Sequence, residues 1–327
     1  MRQIYSLTAV AVLTLSSLFA SPVALAQGAS YPSKPVRMVV PFPPGGPADL
    51  LGRVLGQKLS EAFGQAVVVE NRAGAAGNLG VDLVAKSAPD GYTLAMVPAG
   101  NITVNPTLFP RLPYRQSELA PVSMVATVEN VLVVHPSVPA RSLQELVAFA
   151  KTNPGKVSFA SPGAGAQPHL AGEALKLAAG ADMVHVPYKG TGPALNDLLG
   201  GQVSMMFSQL SSALPHIQSG KLRALGVASL KRSSTLPDLP TVAEQGFPGF
   251  EAVSWYALMV PAGTSSEIIG RLHAETVKAM RQPDVIEKLT GLGARPVAGS
   301  PAELASLISA ETARWADVIR KQGITAE

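Results

Sequence analysis

The chain has 327 residues, 47% of them hydrophobic and none of them cysteine. This content suits a globular core and excludes a disordered chain, and without cysteine there are no thiol nucleophiles, thiolate metal sites or disulfides, so the core alone must carry stability. A formal net charge of +4 without a dense Lys/Arg run steers anions weakly and leaves no footprint for nucleic acid.

The first 26 residues read as a secretory leader. Arg2 supplies the positive start, Ile4 to Ala20 is apolar and uncharged, and Ala24-Leu25-Ala26 is a small-x-small cleavage signal. A mature chain beginning at Gln27 and a periplasmic location are expected. Position 27 is not cysteine, which argues against a lipid anchor. No later segment reaches the roughly 18 apolar residues of a membrane span.

Short β-rich runs then alternate with helical stretches, which predicts α/β layers. Val36 to Val40 is the first predicted strand. Leu50, Leu51, Val54, Leu55, Leu59 and Phe63 follow at helical spacing. Val67 to Val69 is a strand, Asn71 to Gly80 a Gly-rich turn into a helix, and Tyr92 to Val97 a third strand. In the middle, strands are predicted at Val131 to Val134, Val157 to Ala160, Met183 to Val186, Val203 to Phe207 and Leu222 to Ala228. Helices are predicted at Ser142 to Lys151, Pro168 to Ala179, Pro193 to Leu199 and Ser211 to Ser219. Ser142 with Glu145 reads as a capping box, and so does Ser300 with Glu303. Arg232 to Gly249 is a Pro/Gly-rich surface loop, Ala252 to Val260 a strand, and the remainder helical.

Two clusters emerge. The expected division is a first domain of residues 27–125 plus 253–327, crossed twice by the chain, and a second of residues 126–252.

Two loops stand out. Pro41-Phe42-Pro43-Pro44-Gly45-Gly46-Pro47-Ala48-Asp49 leaves a strand and enters a helix. Glycine lets backbone approach a ligand closely, Pro47 suits a first helical position, and a helix start favours an anion. Ser161-Pro162-Gly163-Ala164-Gly165-Ala166-Gln167-Pro168-His169 repeats the design. Either loop alone reads as an ordinary turn. The pair, in equivalent positions of two domains, reads as a cradle gripping an anion from both sides.

The sequence resembles the substrate-binding receptors of tripartite tricarboxylate transporters, the Bug family. The similarity runs through YPSKPVRMVVPFPPGGPAD at Tyr31 to Asp49, VVVEN at Val67 to Asn71 and SAPDGYTL at Ser87 to Leu94. It continues in HLAGE from His169, HVPYKG from His185, PALNDLLGG from Pro193, GKLRAL from Gly220 and LPDLPTVAE from Leu236. The resemblance implies a two-domain periplasmic-binding-protein fold that closes around its ligand in a cleft between the domains. It implies a small organic carboxylate held by loop amides, which carries over to Pro44, Gly45, Gly46, Ala48, Ser161, Gly163, Gly165 and Ala166. It also implies delivery to integral membrane permease subunits. A monomer without cofactor, metal or catalytic residue is expected. Ala166 replaces the Ser or Thr of many relatives and loses a hydroxyl. Ser208 replaces an acidic residue, which favours a plain organic acid over an amino acid if that position faces the cleft.

Other candidates are weighed from the residues themselves. Asp49 either caps its helix or orients a ligand donor. His169 supports the loop or contacts ligand. Tyr188 lines the cleft or the core, and Asn101 and Asn105, after the third strand where clefts form, bind or only turn the chain. Phe42 and Gln167 complete the candidate set.

An exported hydrolase and a dinucleotide-binding domain are the rival readings. G-x-S-x-G, H-E-x-x-H and a Walker loop are absent, and the Gly163-x-Gly165-x-x-Pro168 run lacks the third glycine of the dinucleotide motif. A receptor presenting its ligand to a sensor kinase is the remaining alternative.

Overall fold

The computed structural model describes residues 31–326, apart from Leu292. The leader, its cleavage signal and Gln27 lie outside the described residues. Chain order gives β1 (Val36–Val40), α1 (Pro47–Phe63), β2 (Val67–Asn71), α2 (Asn78–Ala85), β3 (Thr93–Pro98), α3 (Ala99–Thr103), α4 (Asn105–Leu108) and β4 (Leu119–Val128). The middle holds β5 (Asn130–Val134), α5 (Leu143–Thr152), β6 (Val157–Ser161), α6 (Gln167–Ala179), β7 (Met183–Pro187), α7 (Thr191–Leu199), β8 (Met205–Gln209), α8 (Leu210–Gln218) and β9 (Arg223–Val227). The chain ends with β10 (Ser254–Pro261), α9 (Ser266–Met280), α10 (Pro283–Gly291), β11 (Ala294–Gly299) and α11 (Pro301–Gln322).

These strands make two sheets. The six-stranded sheet runs β11-β4-β10-β3-β1-β2 and the five-stranded sheet β7-β6-β8-β5-β9. In each, parallel pairs (β1 with β2 and β3; β6 with β7 and β8) adjoin antiparallel ones. Both faces of each sheet are covered. Met38 and Val40 pack under α1 with Leu51 and Leu55, whereas Val39 packs on the opposite face with Val81 and Val84. Such doubly buried strands read as continuous apolar runs, which is why VRMVV was readable.

Two strands lie where the sequence showed none. β4 carries Pro121, which breaks a strand pattern. The ladder tolerates it because the register with β10 shifts between Leu258 and Met259, the latter facing Pro121. β11 reads ARPVAG and is an edge strand on β4 alone. The C-terminal part is therefore not wholly helical, as the sequence suggested. Of the two expected capping boxes, only Ser300/Glu303 is reciprocal. At Ser142 the hydroxyl accepts from Glu145 N–H, but the Glu145 carboxylate reaches Arg141 N–H instead.

The chain changes sheet at Glu129, between β4 and β5, and returns just before β10, which inserts between β3 and β4. Buried Asn130 joins the two passages. Its amide donates to Ala252 O (2.6 Å) and to Ser254 Oγ (3.1 Å).

Candidate functional site

Both sheets present the carboxyl ends of parallel strands to one cavity, the usual ligand position in α/β folds. It encloses about 680 Å³, its mouth included. Helix starts surround it: Gly46–Ala48 at α1, Ala99–Asn101 at α3, Ala166 and Gln167 at α6, and Thr191 and Gly192 at α7. First-turn N–H groups such as those of Ala48, Gln167, Thr191 and Gly192 have no intrahelical acceptor and carry partial positive charge. Among the described residues lining the cavity there is no Asp, Glu, Lys, Arg or His. The wall is apolar or neutral, with Phe42, Trp255 and Tyr256 as its aromatic part.

Loop Pro41–Asp49 is held by a carboxylate. Asp49 is buried and accepts from Gly45 N–H (3.1 Å), Arg53 Nε (3.1 Å) and Asn71 Nδ2 (3.0 Å). Asn71 also donates to Phe42 O (3.0 Å). Burial acts to raise the Asp49 pKa. The hydrogen bonds from Arg53, Gly45 and Asn71, with the Arg53 charge, outweigh it and hold the carboxyl below its ordinary value. Gly45 turns at φ +89°, a backbone state that glycine adopts without strain.

Loop Ser161–His169 is held by imidazoles. Gly165 N–H donates to His169 Nδ1 (3.1 Å), so the proton of neutral His169 sits on Nε2. His169 stacks on His185 at 4.0 Å between ring centroids, and His185 stacks on Phe159 at 5.0 Å. His185 Nε2 lies 2.7 Å from Ser161 Oγ, which accepts from Gly163 N–H (3.2 Å). Burial, then the neighbouring His185 and Lys176, push the His169 pKa down to about 3. Burial, then Lys176, push His185 down to about 4. Both rings are uncharged at neutral pH.

The structure brings Phe42, Gly46, Ala48, Asn101, Gly163, Gly165, Ala166 and Gln167 of the candidate set to the cavity wall. Pro44, Gly45, Asp49, Ser161, His169, Tyr188 and Ser208 are outside that wall. Gly45, Asp49, Ser161 and His169 hold the two loops from behind. Tyr188 donates its hydroxyl to Asp197 (2.7 Å), and burial together with that carboxylate pushes its pKa up to about 12. Ser208 is buried in β8 and donates to Gln209 O (3.3 Å), while the next residue, Gln209, takes the cavity position. Several loop amides are spent inside the loops: those of Gly45, Gly163 and Gly165, as above, and that of Ala166, which donates to Gly163 O (3.2 Å).

Asn105, weighed beside Asn101, also lies on the wall, whereas sequence reasoning missed Ala76, Thr191, Gly192, Gln209 and Ser254–Tyr256. One signal was present. Gly190-Thr191-Gly192-Pro193 is a third Gly/Pro helix start after a strand. For Trp255 there was none: the return of its strand to the first cluster was expected, but not which of the strand's side chains would face a cavity. Its indole donates to Glu311 on α11 (2.9 Å).

The two halves meet around the cavity. A Cβ added to Gly100 would collide with the Gly165 carbonyl oxygen, and one added to Gly190 would lie 3.0 Å from Pro43 Cδ. Gly46 differs. A Cβ there would find only Thr191 Oγ1, at 4.0 Å.

Two α/β sheets closing on one cavity ringed by helix starts define a solute-binding protein of the periplasmic-binding-protein fold. The chain belongs to the tripartite tricarboxylate transporter family of receptors, whose model, "Tripartite tricarboxylate transporter family receptor", matches residues 51–324. Protein BugT of Bordetella pertussis (strain Tohama I) is 45% identical over 296 residues, covering 90% of this chain and 91% of BugT. Among solved structures, R. palustris Rpa4515 with adipate superposes at a TM-score of 0.88, with 35% identity, over 90% of this chain and 99% of that one. MatC from Rhodopseudomonas palustris with bound malate gives 0.83 at 34% identity, over 88% and 100%. The family is one of receptors, not enzymes.

Proposed function

We propose that this receptor captures a small organic carboxylate outside the cytoplasm and delivers it, as a monomer, to the permease subunits of a tripartite transporter. The carrying observation is a cavity ringed by helix starts and lined by no acidic side chain. Each helix start favours an anion by about 0.3–1 kcal/mol when exposed and up to about 2 when partly buried. Several together hold a carboxylate without a buried cation, so release stays accessible. Adipate in Rpa4515 and malate in MatC support the same solute class here. The leader-like sequence of residues 1–26 supports export.

In this reading the two sheets are the bodies of two domains, divided where the chain changes sheet. Gly46, Ala48, Gln167, Thr191 and Gly192 supply amides to the carboxylate. Gly45, Asp49, Ser161, Gly163, Gly165 and His169 set the loops. The hydroxyl lost at Ala166 is not replaced by its own amide, which is already engaged.

Native mass spectrometry of freshly purified protein, followed by thermal shifts against a carboxylate panel, tests the proposal. A ligand at 100 times its Kd adds about 2.7 kcal/mol of stability. A chain inert to every carboxylate in the panel refutes it.

A further inference from the structure

One buried apolar cluster is shared between the two halves. It joins Val104 and Leu108, next to and within α4, and Trp315 and Ile319 of α11 to Ala164 of the second loop and Leu170 of α6. α11 belongs to the first half: Leu304 and Ile308, near its start, pack with Ala257 and Met259 of β10. The same face continues at helical spacing to Trp315, about 16 Å along the axis from Leu304, where it meets the other half. α6 belongs to the second half. Ala171, Leu175 and Ala179 hold it to its own sheet with Phe159 and Phe207, while Leu170, one position off that stripe, enters the shared cluster.

The shared cluster lies at the cavity, away from the passages where the chain changes sheet. Ala164 is also a wall residue, and a Cβ on Gly165 would lie 3.0 Å from Leu108 Cδ2. Among the described residues lining the cavity none comes from α11. The helix instead touches the wall from behind, where Glu311 accepts the Trp255 indole N–H (2.9 Å), and one turn later it reaches the other half. Apolar surface that two bodies bury only together favours their joined state. Opening the cavity would carry Ala164 and Leu170 away from Trp315 and Ile319 and return all four to water. Resting on the reading of the cavity as a cleft that closes on its solute, we propose that the C-terminal helix is a latch. Trp315 and Ile319, outside the cavity wall, hold the halves shut through Leu170 and Ala164 and so set how long the solute is retained.

A double-mutant cycle and a distance measurement test this, with adipate and malate as titrants. Leu170→Ala and Trp315→Ala should each weaken binding of whichever acid binds by about tenfold, and the double variant should stay within about threefold of the weaker single one, because both remove the same seam. Leu170 lies in the half that does not carry α11, so its effect does not pass through loss of that helix, and thermal melts confirm that each variant is folded. The chain has no cysteine, so Val68→Cys on edge strand β2 and Val184→Cys on edge strand β7, both exposed, take one spin label each. Dipolar spectroscopy, with and without acid, should show a short distance that Leu170→Ala depopulates at least threefold. Single variants that bind within twofold of the unaltered protein, or losses that simply multiply, overturn the latch. A distribution that lacks the short distance, or that Leu170→Ala leaves unchanged, overturns it as well. Failure of both acids to bind counts against the carboxylate reading, and the label distances then decide the latch alone.

Discussion

Loop Pro41–Asp49 is tied down by an ionised carboxylate, whereas loop Ser161–His169 is tied down by two uncharged imidazoles. Both loops leave a strand, turn on glycine and open a helix, yet opposite chemistry fixes them. Asp49 gains strength from Arg53, whose guanidinium reaches solvent. His169 and His185 gain theirs from burial and stacking, and work only while neutral. Two cradles of similar sequence thus answer differently to acid and to mutation.

The comparison is broken hardest where the loops meet. Gly100→Val should weaken solute binding at least a hundredfold in titration calorimetry, because its side chain would occupy the space of the Gly165 carbonyl and hold the halves apart. Its melting temperature should change little, since opening relieves the clash. A variant that binds normally would show that closure at this contact is not needed.

Acid should separate the loops next. The ordinary histidine value of 6.5 falls to about 3 for His169 and about 4 for His185 on folding. Between those limits the unfolded chain binds more protons, so stability is full above about pH 6.5 and falls as the pH drops toward 4. The slope is about 1.4 kcal/mol per pH unit for each ring. Asp49, held below its ordinary 3.8, keeps its contribution through this window and loses it only at lower pH. Urea unfolding from pH 7 to 4 checks this, and His169→Gln should flatten the profile. An unchanged slope in that variant would contradict the assignment.

Asp49→Asn should cost about 1–2 kcal/mol, as the charge-assisted bonds to Gly45 and Arg53 become ordinary ones. Affinity should drop several-fold, and calorimetry with chemical unfolding reads both. The smallest effect belongs to Gly46→Ala. The site has room for a methyl group and its backbone, at φ −86°, suits any residue, so affinity should change less than threefold. A large loss there would mean that the first loop approaches its solute more closely than the cavity suggests.

Much of this was legible in the chain. The parallel strands announced themselves as apolar runs, and both cradle loops as Gly/Pro segments between strand and helix. The family resemblance named at the sequence level is matched by the family model. Local pattern failed where position depends on a distant partner. Pro121 hid β4 because its tolerance depends on a register shift with β10. Trp255 and Tyr256 gave no sign of facing a cavity, since β10 acquires its neighbours from residues more than a hundred positions earlier. Asp49 and His169 were visible as candidates, but only the geometry shows them behind the wall.

The insertion of β10 between β3 and β4 has a consequence for assembly. A polypeptide emerging N-terminus first holds β1 to β4 without the strand that joins β3 to β4 until residue 254 and its successors arrive. Long-range pairing of this kind is slow and leaves strand edges open in the meantime. The five-stranded sheet, continuous from Asn130 to Val227, can finish earlier. Maturation is thus staged: the later-begun half is completed first and waits for the earlier one to close.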